Sequence, residues 1–78
     1  MSKLPDISGS RLVRILEKCG FHRVRQKGSH LSLEKITKNK TYRTIVPLHR
    51  SLAKGTLLDI LRQCGIKREE FLKMLRKK

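Results

Sequence analysis

Residues 21–47 read FHRVRQKGSHLSLEKITKNKTYRTIVP, and the fold turns on whether this stretch is helix or sheet. In HLSLE the sequence alternates strictly, with Leu31 and Leu33 to one side and His30, Ser32 and Glu34 to the other. A period of two belongs to a half-buried strand. Over Phe21–Lys27, Arg23, Arg25 and Lys27 alternate with His22, Val24 and Gln26, which predicts a strand with one basic face. Gly28-Ser29 between the two runs is a turn signal. KITKNK is polar and loop-like around Asn39, and TYRTIV is rich in the β-branched residues of a third strand, which Pro47 ends because it cannot donate to a ladder. If Val46, Thr44 and Tyr42 face the core, Arg43 joins the basic side and carries Ile45 with it.

Helical periodicity flanks the strands. Ser8 is a candidate N-cap, with Ile7 before it placed to staple onto Leu12. Leu12, Val13, Ile15, Leu16 and Cys19 then form one apolar face and Gly20 ends the helix, while Arg11, Arg14, Glu17 and Lys18 point away from that face. A loop, LHRSLAKG, leads to a second helix starting near Thr56, with Leu57, Leu58, Ile60, Leu61 and Cys64 inward and Gly65 at its end. A short third helix follows. Arg68-Glu69-Glu70 open it, acidic residues suiting its positive end, and Phe71, Met74 and Leu75 supply its buried side. The tail Arg76-Lys77-Lys78 reads as a solvated end.

Three antiparallel strands with short connections form a meander, and helices with one apolar face each must bury it on the side of the sheet that is not basic. The expected fold class is therefore α+β, a two-layer α-β-β-β-α sandwich with both helices on one face of a three-stranded antiparallel sheet. Residues 1–78 are too few for a second core and form a single domain. The open sheet face is expected to carry Arg23, Arg25, Lys27, His30 and Arg43, a platform for a phosphate backbone.

Charge points the same way. The chain has 20 Lys and Arg against 6 Asp and Glu, a formal net charge of +14. Such density destabilises the compact state through self-repulsion, and solubility needs far less of it. Nucleic acid is the leading partner class, ahead of an acidic protein and an anionic membrane. No apolar run approaches the ~20 residues of a membrane span, and MSKLPDISGS lacks the apolar centre of a signal peptide. A cytoplasmic chain is expected, with no membrane partner. Cys19 and Cys64, each before a glycine, fit neither a zinc site nor a disulfide framework and read as small apolar residues closing helices, a bridge between them staying open.

The segments SGSRLVRILEKCGFHRVRQKGSHLSLEK, TIVPLHRS and KGTLLDILRQCGI, taken in this order and spacing, resemble the HicA toxin family, also called the YcfA-like family. The likeness runs from about Ser8 to Leu75. It implies a fold similar to the double-stranded-RNA-binding domain. It also implies a small ribonuclease that cleaves mRNA as the toxin of a type II toxin–antitoxin system, held inactive by a HicB-like antitoxin. The family's catalytic histidine lies in the GSH motif, which is His30 here. Double-stranded-RNA-binding domains proper carry a basic cluster at the start of their last main helix; here only Lys54 precedes Gly55-Thr56, a departure from that pattern.

From the residues alone, His30 reads as a turn-edge side chain; the motif is what turns it into a catalytic candidate. Metal-free cleavage of RNA needs a base near the ribose 2′-oxygen, positive charge for the developing phosphorane and an acid for the leaving 5′-oxygen. His30 as the base gives a 2′,3′-cyclic phosphate. Arg23, Arg25, Lys27 and Arg43 supply cations and Gly28-Ser29 the turn that meets RNA. If residue 35 faces residue 42, His30 faces Pro47 and His49 falls beside Gly28, which makes His49 the candidate second acid or base, although an ordinary loop histidine is the commoner case. His22 reads as structural. No Asp, Glu or His set has ligand spacing, so no metal cofactor is expected. The competing readings are a non-catalytic basic RNA-binding module, for which His30 is dispensable, and a protein-interaction domain for an acidic partner.

Overall fold

Ser8 fixes where the chain first turns helical. Its hydroxyl accepts the Arg11 N–H at 3.1 Å, and α1 (Gly9–Lys18) follows with Leu12, Val13 and Leu16 fully buried. The computed structural model describes residues 4–76, so the last two residues of the expected solvated tail lie outside the described residues. At the end of α1 the Phe21 N–H donates to the Leu16 carbonyl and the Gly20 N–H to that of Glu17, the paired bonds of a Schellman ending. The second helix, α2 (Lys54–Gln63), ends in the same way, with Ile66 donating to Leu61 and Gly65 to Arg62. Gly65 has φ 70, and a Cβ there would lie 2.7 Å from the Tyr42 ring, so this turn admits no larger residue without displacement.

α2 starts two residues before the expected Thr56, after Ala53, which offers no side-chain cap. α3 (Arg68–Arg76) opens with Glu70 accepting the Lys67 N–H at 2.9 Å and drives Phe71 into the core at 0% exposure.

Between α1 and α2 run β1 (His22–Lys27), β2 (His30–Ile36) and β3 (Thr41–Pro47), antiparallel in the order β1-β2-β3. β2 is two residues longer than its HLSLE pattern suggests. Lys35 and Ile36 stay paired with Tyr42 and Thr41, and Thr37 closes the remaining turn with two bonds to Lys40 and a third from its own N–H. The β2–β3 register pairs Lys35 with Tyr42 and His30 with Pro47, as the hairpin arithmetic requires. Leu31, Leu33, Thr44 and Val46 therefore face the helices and are buried, while Arg43 and Ile45 face out.

β1 departs from strict alternation. Its register to β2 shifts between Arg23 and Arg25, so Val24 is the extra residue of a β-bulge. Cross-strand partners share a face. Arg25, paired with Ser32, and Lys27, paired with His30, lie on the open side, but Arg23, paired with Leu33, turns to the helix side. The expected open-face position of Arg23 is thus corrected: its Nε donates to Glu17 of α1 at 3.1 Å. His22, paired with Glu34, takes the open position instead.

Leu4, Ile7, the inward faces of α1 and α2, Phe21, the buried strand residues and Phe71 form one apolar cluster. The architecture is an α+β sandwich of the double-stranded-RNA-binding type, in the order α-β-β-β-α-α. No helix among the described residues is long and apolar enough to cross a membrane.

Candidate active site

Gly28 and Ser29 alone join β1 to β2, since Lys27 already pairs with His30. A two-residue hairpin whose first central residue has positive φ and whose second does not is a type II′ turn; Gly28 has φ 60, which a side chain would resist. Gln26 braces the turn by donating to the Gly28 carbonyl at 3.0 Å. The tightness of this turn makes Lys27 and His30 direct neighbours on the open face, both exposed.

Pairing continues past the end of β3. Leu48 donates to the Ser29 carbonyl at 2.7 Å, and the next carbonyl along, that of His49, accepts the Gly9 N–H at 2.9 Å. Residues 48 and 49 are held between the hairpin turn and the start of α1, and Leu52 N–H is tied to the Ile7 carbonyl. This clamp brings the His49 ring to 6.4 Å from the His30 ring, centroid to centroid, at an interplanar angle of 73°. Both imidazoles are exposed. Arg50, which the sequence patterns do not single out, follows directly and is exposed too; its one legible signal is adjacency to His49.

Charge on the platform is graded. Lys27 stands at the rung of His30 and Arg25 at the next open rung, with Ser32. Arg43 is opposite Glu34, four residues along β2 from His30 and so about 13 Å away. Its Nε donates to the Glu34 carboxylate at 2.7 Å, and His22 Nε2 lies 3.8 Å from the same carboxylate. The cationic field is strongest near His30 and partly neutralised at the Arg43 end. Between the two, Val24 and Ile45 are 57% and 54% exposed, an apolar strip the charge pattern does not suggest. They line a shallow depression of about 660 Å³ with Arg25, Ser32, Glu34 and Arg43.

Other expected participants lie elsewhere. Arg23 is tied to Glu17 at the helix side. Lys54, the one cation ahead of Gly55-Thr56, donates to the Leu4 carbonyl and sits 3.6 Å from Asp6, so it is turned back onto its own chain. Among the described residues no three His, Cys, Asp or Glu side chains cluster as a metal site. Both cysteines are free thiols. Burial, and then the neighbouring Cys19, pushes the Cys64 thiol up to about 12, which makes it a poor nucleophile.

The site thus brings two exposed imidazoles, His30 and His49, beside Lys27 at the edge of a cationic sheet. No curated protein and no solved structure gave a match to the chain. A family model does, that of the HicA toxin of bacterial toxin–antitoxin systems, and it spans residues 9–66, from the first residue of α1 to just past α2. The chain belongs to the HicA toxin family, and is thereby a toxin of the toxin–antitoxin class.

Proposed function

We propose that this toxin is an endoribonuclease that cuts mRNA without a metal ion, with His30 as its catalytic histidine. The observation that carries the reading is the convergence of His30, Lys27 and His49 at one end of the open sheet face, with the two rings 6.4 Å apart. In this scheme His30 takes the proton of a ribose 2′-hydroxyl, and the freed oxygen attacks the adjacent phosphorus. The 5′-oxygen leaves with a proton from His49 and a 2′,3′-cyclic phosphate remains. Base and acid each need hydrogen-bond reach of about 2.6–3.2 Å to the same phosphodiester, which rings at this separation permit. Lys27 stabilises the charge on the phosphorane oxygens, and Gly28 and Ser29 present the backbone of the turn to RNA. Arg25 and Arg43 hold the flanking phosphates. Arg23, engaged with Glu17 on the helix side, serves RNA only at the rim.

The partner that restrains the enzyme is a HicB-like antitoxin, which in this reading covers the His30 end with an acidic surface. Complementarity of potential favours that docking face. A co-complex in which His30 stays open to solvent counts against steric blocking.

The test is to incubate the purified toxin with RNA and DNA in the presence of a chelator, beside a His30→Ala variant. Cleavage of RNA alone, lost in the variant and blocked by a 2′-O-methyl sugar at the scissile position, is the expected result. Salt-sensitive binding of RNA without cutting would instead make the chain a non-catalytic basic RNA-binding module.

A further inference from the structure

The helix layer carries a second surface that the RNA reading does not use. α1 and α3 leave a groove of about 660 Å³ between them, floored by Ile15, Cys19, Met74 and Leu75, all half-buried. Contact across the floor is direct, with the Cys19 thiol 3.2 Å from the Met74 sulfur. Along the α1 rim stand Arg11, Arg14 and Lys18, spaced to share one edge of the helix and all exposed. Among the described residues none of the three has a carboxylate partner, whereas Glu17 beside them is spent on Arg23. The far wall belongs to α3, which lies beyond the 9–66 span shared with the family.

We propose that this groove is a docking site for the antitoxin, separate from the His30 face. It takes an amphipathic segment whose apolar side chains lie on Ile15, Met74 and Leu75 and whose carboxylates meet Arg11, Arg14 and Lys18. Charge complementarity selects this occupant. The floor asks for apolar side chains, the rim asks for anions, and the toxin's family supplies a protein partner. Methionine at the floor suits it, since its flexible thioether adapts to the side chain it meets. RNA is the poorer fit, because a phosphate backbone has no use for an apolar floor. Two separated contacts on one toxin raise the antitoxin's grip through effective concentration. The inference rests on toxin–antitoxin membership and not on the catalytic role of His30.

The experiment titrates the toxin with the antitoxin encoded beside its gene and measures RNA cleavage in parallel. An Arg14→Glu/Lys18→Glu double variant changes only exposed side chains. It is expected to bind the antitoxin at least about tenfold more weakly while cutting RNA at the wild-type rate. Met74→Glu, checked for folding by thermal melting, gives the same loss. Unchanged antitoxin affinity in both variants overturns the proposal. So does a fall in RNA cleavage with antitoxin binding intact, which would make the groove a nucleic-acid surface. A His30→Ala toxin that still cuts RNA sinks the catalytic scheme and leaves the groove standing.

Discussion

His30, on the last rung of the β2–β3 ladder, and His49, two residues past that rung's Pro47, stand edge to face with their ring centroids 6.4 Å apart. The proximity follows from a register that pairs His30 with Pro47 and from the carbonyl of His49 being anchored to Gly9 at the start of α1. A base and an acid on one phosphodiester give a bell-shaped pH–rate profile. His30→Ala is expected to slow cleavage by roughly a hundred- to ten-thousand-fold. His49→Gln should remove one limb of the profile while leaving RNA affinity within a few-fold. An unchanged rate and profile in His49→Gln takes His49 out of the scheme.

The bulge at Val24 separates two arginines that look equivalent in the chain. Arg25 shares the open face with Ser32, whereas Arg23 points to α1 and Glu17. For a single strand, the slope of log affinity against log salt falls by about 0.7 for each phosphate that the protein no longer neutralises. Arg25→Ala and Lys27→Ala are each expected to show that decrement in filter-binding titrations with uncut 2′-O-methyl RNA. Arg23→Ala should show less than half of it. Equal decrements for Arg23 and Arg25 would contradict the facing read from the register.

Much of this is legible in the residues. Alternation in HLSLE and TYRTIV and a short polar connection suffice for the pairing of β2 with β3, because a one-residue slip would turn Leu31 and Leu33 to solvent. No such constraint acts on β1, where all six residues are exposed. A strand with no buried side carries no sequence mark of a bulge, so strict alternation puts Arg23 on the wrong face. The engagement of Arg43 by Glu34 becomes visible only once the rung they share is known. Ala53 gives no capping signal, and periodicity alone starts α2 two residues late. His30 itself is mute without the GSH motif, since an exposed histidine after a turn is chemically ordinary.

Gly9 couples the start of α1 to the site. A Cβ at this position would overlap the Pro47 carbonyl oxygen and lie 2.9 Å from the Leu48 Cα, both backbone atoms that cannot swing aside. Gly9→Ala must push residues 47–49 away from α1 and strain the bond from Gly9 to His49. A loss of about 1–3 kcal/mol in folding stability is expected, the usual range for overpacking. Cleavage should also fall in protein that is fully folded, since His49 moves with the loop. Denaturant unfolding and single-turnover kinetics on the same sample separate the two effects. Wild-type stability in Gly9→Ala would mean that the overlap relaxes without cost.

Cys64 is expected to make the fold less stable in alkali. Its thiol, 5% exposed, is pushed from an ordinary 9.0 up to about 12, first by burial and then by Cys19, whose own thiol is raised by burial too. A group whose folded value is raised binds its proton more tightly in the native state. Its stabilising contribution is whole below the unfolded value near 9 and is lost as pH climbs toward 12. Within that window the loss approaches about 1.4 kcal/mol per pH unit for one such thiol. Cys64→Ala leaves no thiol to titrate there, at the cost of a smaller side chain in the core. Melting temperatures between about pH 8.5 and 11 should therefore decline more steeply for the wild type than for Cys64→Ala. Parallel declines would show that other groups govern the alkaline unfolding.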